Sequence, residues 1–377
     1  MIYLDNAATT LCKPDCVKKA VWEAMENMGS SGRGAYPAAL EASRVIYETR
    51  ELAAEFFGAP SPVSVAFTSN ATEALNIAVS GLIQKGDHVI CTQMDHNSVL
   101  RPLYRKEKEG AELSILKCGD NGKPDMSKLE NMFRKNTKAV ICTHASNVTG
   151  DFNDIRTAAE TCRKNGVLFV LDGAQTAGSF PIDMKKMKID VLCFTGHKGL
   201  MGPQGTGGIC LGENIRIPAF KTGGSGMHSF DKEQPGQGAQ MLEAGTLNGH
   251  GIAGLHAAFS FLKETGIDRI RKKEQELCRY FCREAARIPG IRLYGNIEEP
   301  ERAAVVSLNV RDYDSAVICD ELTEFYGIAV RGGIHCAPLM HSFLGTERQG
   351  TVRFSFSWYN EMEEAEQAVQ ALREIAG

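Results

Sequence analysis

A lysine and an aspartate follow two apolar segments of this 377-residue chain and lie 26 positions apart. Lys198 follows the run Val191–Phe194 in a polar, glycine-rich turn, and Asp172 follows the run Val167–Leu171. Each run predicts a buried strand, so the two strand ends could bring an amine and a carboxylate side by side. Pyridoxal phosphate needs this pair, because a lysine forms its Schiff base and a carboxylate keeps its pyridine nitrogen protonated.

Each of these residues alone has a simpler interpretation. A lysine in a glycine-rich turn is usually exposed, and an aspartate at a strand end commonly caps the next helix. The cofactor hypothesis therefore depends on a phosphate site and a stacking ring elsewhere in the chain.

A candidate phosphate site follows the strand-like run Val63–Thr68. A turn of small residues leads there into a predicted helix that begins near Thr72. The free N–H groups and positive end of such a helix attract an anion, and the Thr72 hydroxyl adds a donor. Simple helix capping by Ser69 or Asn70 is the alternative. The chain lacks G-x-x-x-x-G-K-[ST], so no nucleotide P-loop is predicted.

Three further polar residues lie just beyond apolar runs. His96 could stack on the cofactor ring and assist proton transfer, although a structural or surface histidine is the alternative. Asn147 follows another strand-like run. Gln175 lies three residues after Asp172 and could hydrogen-bond the phenolic oxygen of the cofactor.

The elements that must position these residues alternate between strand-like and helix-like segments from about residue 15 to 260. This alternation predicts an α/β fold with a mostly parallel seven-stranded sheet covered by helices on both faces. Ligands of such folds bind at the carboxyl ends of the strands. We predict a large domain over residues 15–260 and a smaller α+β domain built from residues 1–14 and 261–377.

Composition excludes several classes of function. A formal net charge of -4 offers no basic footprint for nucleic acid. We also expect no membrane segment, because no apolar run approaches the length of a spanning helix. We expect no signal peptide, because the first residues show no basic region followed by an apolar one. Twelve cysteines without secretory features favour a reducing, cytoplasmic location, and the absence of C-x-x-C argues against a structural metal site.

Several motifs together resemble those of the class V, fold-type I pyridoxal-phosphate enzymes, and most closely the cysteine desulfurases and selenocysteine lyases. The resemblance runs from Leu4 almost to the end of the chain, and its motifs are Asn70-Ala71-Thr72-Glu73, Asp172-Gly173-Ala174-Gln175, Thr195-Gly196-His197-Lys198 and Glu243-Ala244-Gly245-Thr246. This chain departs from the family at two positions. Leu247 stands where the family usually has proline, and Ile334 where near relatives often have histidine.

The resemblance implies a role for each site residue. Lys198 would carry the cofactor and move the Cα proton, Asp172 would pair with the pyridinium nitrogen, and His96 would stack on the ring. The phosphate would be held by Ala71, Thr72, Thr195 and His197. The phenolic oxygen or the substrate would be approached by Asn147 and Gln175. Thr246 would reach the phosphate of a neighbouring subunit, which implies a homodimer with shared active sites.

The resemblance also singles out residues of the C-terminal region. Cys336 lies in a glycine- and proline-marked loop, where Arg331 and His335 would favour a thiolate. Arg353 matches the family arginine that binds the substrate carboxylate through its planar fork. Asn147 and Arg331 are the other candidate substrate contacts.

The predicted reaction converts L-cysteine to L-alanine and leaves a persulfide on Cys336. The short interval between Cys336 and Arg353 goes, within the family, with enzymes that need a separate sulfur-acceptor protein or also accept L-selenocysteine. A selenocysteine lyase and a class V aminotransferase or lyase for another amino acid remain as alternatives. A scaffold that keeps the fold without the chemistry is a third.

Overall fold

The computed structural model describes residues 1–32, 34–226, 228–236 and 238–377. The strands in these ranges are β1 (Ile2–Tyr3), β2 (Val65–Thr68), β3 (His88–Thr92), β4 (Glu112–Leu116), β5 (Thr137–Thr143), β6 (Leu168–Asp172), β7 (Val191–Thr195), β8 (Gly207–Leu211), β9 (Ile291–Tyr294), β10 (Val305–Val310), β11 (Ile328–Ala329) and β12 (Val352–Ser355). The α-helices are α1 (Asp15–Asn27), α2 (Pro37–Phe57), α3 (Ala71–Leu82), α4 (Asn97–Lys108), α5 (Ile155–Lys164), α6 (Met184–Met187), α7 (Gly249–Thr265), α8 (Ile267–Ala285), α9 (Ser315–Tyr326), α10 (Pro338–Leu344) and α11 (Met362–Ala376).

Strands β2 to β8 form one sheet in the order β2-β8-β7-β6-β5-β3-β4. The pairs from β4 through β3, β5 and β6 to β7 are all parallel. β8 is antiparallel to both of its neighbours, β2 and β7. The short segment 196–206 that joins β7 to β8 explains this, because a parallel pair needs a longer crossover. The predicted seven-stranded, mostly parallel sheet is confirmed.

Both faces of this sheet are covered by helices, as its apolar strands require. Alternate residues of β5 point to opposite faces: Val140 and Cys142 join one buried cluster, and Ala139 and Ile141 join the other. The first cluster includes side chains from α2, α5 and α7, and the second includes side chains from α3 and α4. The sheet is therefore the rigid centre that carries the polar strand ends.

The C-terminal part forms the smaller α+β unit that the sequence predicts. β9, β10 and β12 make an antiparallel sheet in the order β12-β10-β9. A third buried cluster packs α8, α9 and α11 on this sheet, and it also contains Leu4. β1 pairs in parallel with β11, which ties the N-terminus to the same unit. The exact division of the chain at residues 14 and 260 stays a prediction.

Across the described ranges, no helix combines the length and the apolar character that crossing a membrane demands.

Candidate active site

A cavity of about 460 Å³, partly open to solvent, lies at the carboxyl edge of the sheet. Parallel strands place their carboxyl ends at one edge, so polar residues that are distant in the chain meet there. The cavity is lined by Asn70, Ala71, Thr72, His96, Ser98, Thr143, Asn147, Asp172, Ala174, Gln175, Thr195, His197 and Lys198. Nine of the sequence-predicted site residues are among them, whereas Thr246, Arg331, Cys336 and Arg353 are not.

Lys198 and Asp172 come from the adjacent strands β7 and β6. Asp172 is buried and accepts a hydrogen bond from the N–H of Ala174 at 2.9 Å. Burial raises the pKa of this carboxyl, while the Ala174 N–H and Lys198 oppose the rise. Burial lowers the pKa of Lys198 to about 8, with Arg353 adding to the effect and Asp172 opposing it. An amine with this pKa can give up or take a proton near neutral pH.

His96 caps α4 at its N-terminus. Its Nδ1 accepts a hydrogen bond from the N–H of Ser98 at 3.0 Å, so the ring proton is assigned to Nε2. Burial and the nearby cations Lys198 and Arg353 lower the pKa of His96 to about 4. The histidine is therefore a neutral ring in the wall of the cavity.

The start of α3 forms the anion-attracting end of the cavity. The side chain of Asn70 accepts a hydrogen bond from the N–H of Glu73 at 2.9 Å, as the capping interpretation predicted. Capping and anion binding are compatible here, because Ala71 and Thr72 begin the helix and their N–H groups have no acceptor within it. Close approach of this turn needs Gly207, since a Cβ there would lie 2.8 Å from the Cα of Asn70.

Two buried polar atoms at this end have no partner among the described residues, the hydroxyl of Thr195 and Nδ1 of His197. Such orphaned atoms cost free energy unless a ligand or water satisfies them. Burial lowers the pKa of His197 to about 4, and Lys198 and Lys13 lower it further, so this ring is neutral. A phosphate group would accept hydrogen bonds at this end and an amine-reactive ring would lie toward Lys198. The residues present therefore fit pyridoxal phosphate.

Asn147 and Gln175 hold neighbouring segments as well as lining the cavity. The amide of Asn147 donates to the carbonyl oxygen of His335 at 2.7 Å. The amide of Gln175 donates to the carbonyl oxygen of Ala7 at 3.3 Å. Both side chains thus connect the cavity wall to segments that lie far away in the sequence.

Arg353, on β12, is buried beside the cavity wall. One of its Nη atoms donates to the carbonyl oxygen of Asn147 at 3.1 Å and the other to the carboxylate of Asp5 at 2.9 Å. Its backbone pairs with that of Arg331, whose own side chain is exposed. Arg353 is thus positioned at the junction of the two units, next to a carboxylate that the sequence did not single out.

The loop that carries Cys336 is anchored at its backbone. The carbonyl oxygen of Cys336 accepts a hydrogen bond of 2.7 Å from the N–H of Asn97, the residue after His96. The thiol itself is exposed. His335 does not supply the charge that the sequence suggested, because burial lowers its pKa to about 2 and its Nε2 bonds to Thr351. The prediction that His335 favours a thiolate at Cys336 is therefore wrong. Arg331, which is close to Cys336 in the sequence, remains the candidate cation for that role.

Thr246 is exposed and lies outside the cavity lining of its own chain. Its loop is fixed by Glu243, which forms a buried ion pair with Arg50 and accepts the N–H of Phe67 at 2.7 Å. The position of Thr246 is thus set by β2, the strand that leads into the anion-attracting turn.

Sequence reasoning missed three residues that support the site. Asp95 is buried and accepts hydrogen bonds of 2.6 Å from the N–H groups of Thr92 and Thr143, which joins β3 to β5. Lys13 donates to the carbonyl oxygen of His197 at 2.9 Å. Asp5 binds Arg353. An acid directly before His96 was the available signal for Asp95, whereas Lys13 and Asp5 act across more than 180 positions and leave no local pattern.

Comparison with known proteins agrees with this geometry. The family model described as aminotransferase class-V matches residues 2–368. A probable cysteine desulfurase of Methanothermobacter thermautotrophicus is 33% identical over 385 residues, which cover 100% of this chain and 95% of that protein. The apo cysteine desulfurase structure from Thermococcus onnurineus NA1 has a TM-score of 0.89 and 31% identity, covering 100% of this chain and 94% of its own. The Escherichia coli cysteine desulfurase solved with an S-sulfonic acid has a TM-score of 0.89 and 28% identity, covering 99% and 94%. Over its whole length, this chain belongs to the class-V aminotransferase family, within its cysteine desulfurase group.

Proposed function

We propose that this protein binds pyridoxal phosphate and converts L-cysteine to L-alanine, with the sulfur passing to Cys336. The observation that carries the proposal is the cavity that combines Lys198 and Asp172 with the unpartnered polar atoms of Thr195 and His197. When bound, pyridoxal phosphate would supply an aldehyde for an amine and a ring that withdraws electrons from the substrate Cα.

The residues of the cavity divide this work by position. Asp172 would keep a pyridine nitrogen protonated, and the neutral ring of His96 would stack against the heterocycle. The phosphate would be held by Ala71, Thr72, Thr195 and His197, and the phenolic oxygen or the substrate by Asn147 and Gln175. Lys198 would move the proton at the substrate Cα, because its pKa of about 8 leaves part of the amine free near neutral pH.

Arg353 and Cys336 would act on the substrate from the smaller unit. The guanidinium of Arg353 would bind the substrate carboxylate, with Arg331 at the entrance as a second cation. The thiolate of Cys336 would attack the substrate sulfur, forming an S–S bond as the carbon–sulfur bond breaks. The substrate carbon would keep the electron pair and take a proton, so that alanine leaves and a persulfide remains.

Substitution of Cys336 tests this proposal. We expect Cys336→Ala to abolish alanine formation from L-cysteine while the absorbance of the bound cofactor is unchanged. Cys16→Ala is the matched control, because Cys16 is also an exposed thiol but lies on α1. Full desulfuration by Cys336→Ala would refute the role of this thiol. The same assay with L-selenocysteine, with selenide as the product, distinguishes a cysteine desulfurase from a selenocysteine lyase.

We also propose a homodimer and a separate sulfur-acceptor protein. Thr246 does not line the cavity of its own chain, as expected if it serves a neighbouring one. Trp22 and Met25 on α1 and Leu40 on α2 are exposed apolar side chains that a second copy could cover. The exposed thiol of Cys336 would be open to an acceptor. The richness of the chain in free cysteines supports a reducing, cytoplasmic setting. Sedimentation of the purified protein would test the dimer.

A further inference from the structure

The guanidinium of Arg353 is only partly free to bind a ligand. Its side chain is 2% exposed, and its two Nη atoms already donate to Asn147 and Asp5. Its Nε is buried and has no partner among the described residues. A buried donor without an acceptor indicates that a ligand or water belongs there. The Nε of the guanidinium thus still lacks an acceptor, while Asp5 already contributes a negative charge beside it.

Asp5 is held in place by its own backbone. Its carbonyl oxygen accepts hydrogen bonds from the N–H of Ala8 at 3.0 Å and from the hydroxyl of Tyr3 at 3.3 Å. Its backbone also bridges to Ser355 in the small sheet, two residues from Arg353. Because its backbone is held there and its carboxylate accepts from Arg353 at 2.9 Å, the Asp5 side chain is a fixed part of the site.

Asp5 and Arg331 have opposite electrostatic effects on the two buried cations of the site. Asp5 raises the pKa of Arg353 and of Lys198, whereas Arg331 lowers both. A substrate carboxylate that accepts from the Nε of Arg353 must lie close to the carboxylate of Asp5, which accepts from an Nη of the same guanidinium. Repulsion between two like charges about 5 Å apart changes affinity by about fourfold at the dielectric constant of water and by more than about 100-fold at an effective dielectric constant of 20, so we expect about tenfold for a site between these limits.

We propose that Asp5 is a positioning residue that orients Arg353 and weakens its hold on a carboxylate, so that substrate and product carboxylates bind and leave readily. The inference rests on the proposed function in one respect, that Arg353 binds the substrate carboxylate. Asp5 fixes the plane of the guanidinium by accepting from one Nη, and its charge cancels part of the attraction that this cation offers.

Binding of propionate, a monocarboxylate without amine or thiol, tests the inference in the holoenzyme. Asp5→Asn keeps an oxygen that can accept from Arg353 but removes the charge. We expect calorimetry to show that this variant binds propionate about tenfold more tightly than the parent protein. The KM for L-cysteine should fall by a similar factor without a rise in kcat, which a merely structural role would not produce.

Two further variants make the result decisive. Asp15→Asn removes an exposed carboxylate nearby in the sequence and should leave propionate affinity unchanged. In an Arg353→Gln background, Asp5→Asn should give no gain. Equal affinity of Asp5→Asn and the parent, no propionate binding by either, or a gain that survives loss of Arg353 would each overturn the inference. Tighter propionate binding in a protein that makes no alanine from L-cysteine would instead refute the proposed function alone.

Discussion

The ion pair between Glu243 and Arg50 should be one of the most sensitive points of the large domain. Both side chains are buried, with 7% and 5% of their surface exposed. Glu243 accepts from both Nη atoms of Arg50 and from the N–H of Phe67, and Arg50 also donates to the carbonyl oxygen of Val65 at 2.6 Å. The pair therefore fixes the loop before Thr246 to β2.

Substitution Glu243→Gln removes the charge but keeps the shape. One oxygen of the amide can still accept, whereas its NH₂ group faces a guanidinium N–H and leaves the charge of Arg50 uncompensated. Breaking a buried pair by removing one partner costs about 3–5 kcal/mol. Because Gln keeps part of the hydrogen bonding, we expect the free energy of unfolding to fall by about 3 kcal/mol.

Chemical denaturation followed by circular dichroism would measure this loss. Glu41→Gln is the matched control, because Glu41 pairs with Arg44 on the exposed side of α2 and should cost less than about 1 kcal/mol. Joint replacement of Arg50 by Met and Glu243 by Leu should cost less than Glu243→Gln alone, since no uncompensated charge remains. A loss below about 1 kcal/mol for Glu243→Gln, or a double variant as unstable as the single one, would refute the reasoning.

Two other predictions concern buried titratable groups. Asp172→Asn should retain the cofactor, seen by absorbance, but lose more than about 100-fold in alanine formation, because an amide cannot keep a pyridine nitrogen protonated; near-normal turnover would contradict this assignment. Burial lowers the pKa of His144 to about 4, below an unfolded value of about 6.5. Between these values the unfolded chain binds more protons, so stability should fall as the pH drops from 6.5 to 4. His144→Gln should reduce this slope in pH-dependent thermal melts, and an identical slope would count against it.

The sequence predicted most of the sheet because its strands are continuous apolar runs that end in glycine-rich or polar turns. The run Val191–Phe194, for example, differs by one residue from β7. Placement of Asp172 and Lys198 at one edge followed from the parallel order alone, since it needs no knowledge of side-chain contacts. These predictions depend on local periodicity and strand direction, which a single sequence contains.

The contacts that complete the site do not have that local character. Asp5 meets Arg353 across 348 positions, and Arg50 meets Glu243 across 193. The type of each charged residue and its position in the sequence are the same whether its side chain is solvated or forms an ion pair. Tertiary packing decides both contacts: the N-terminal segment packs against β12, which brings Asp5 to Arg353, and the loop before Thr246 packs against α2 and β2, which brings Glu243 to Arg50.

The conformation of the Cys336 loop also depends on contacts with residues that are distant in the sequence. It bears on how sulfur would be transferred. His335 and Cys336 both adopt the left-handed conformation, with φ of 48° and 57°, which is unfavourable for residues other than glycine. Hydrogen bonds from Asn147 and Asn97 to their two carbonyl oxygens hold this conformation. Because the backbone is fixed on both carbonyls while the thiol stays exposed, we expect an acceptor to approach Cys336 rather than the loop to carry sulfur outward. This geometry agrees with the proposal that a separate acceptor protein takes sulfur from the exposed thiol of Cys336.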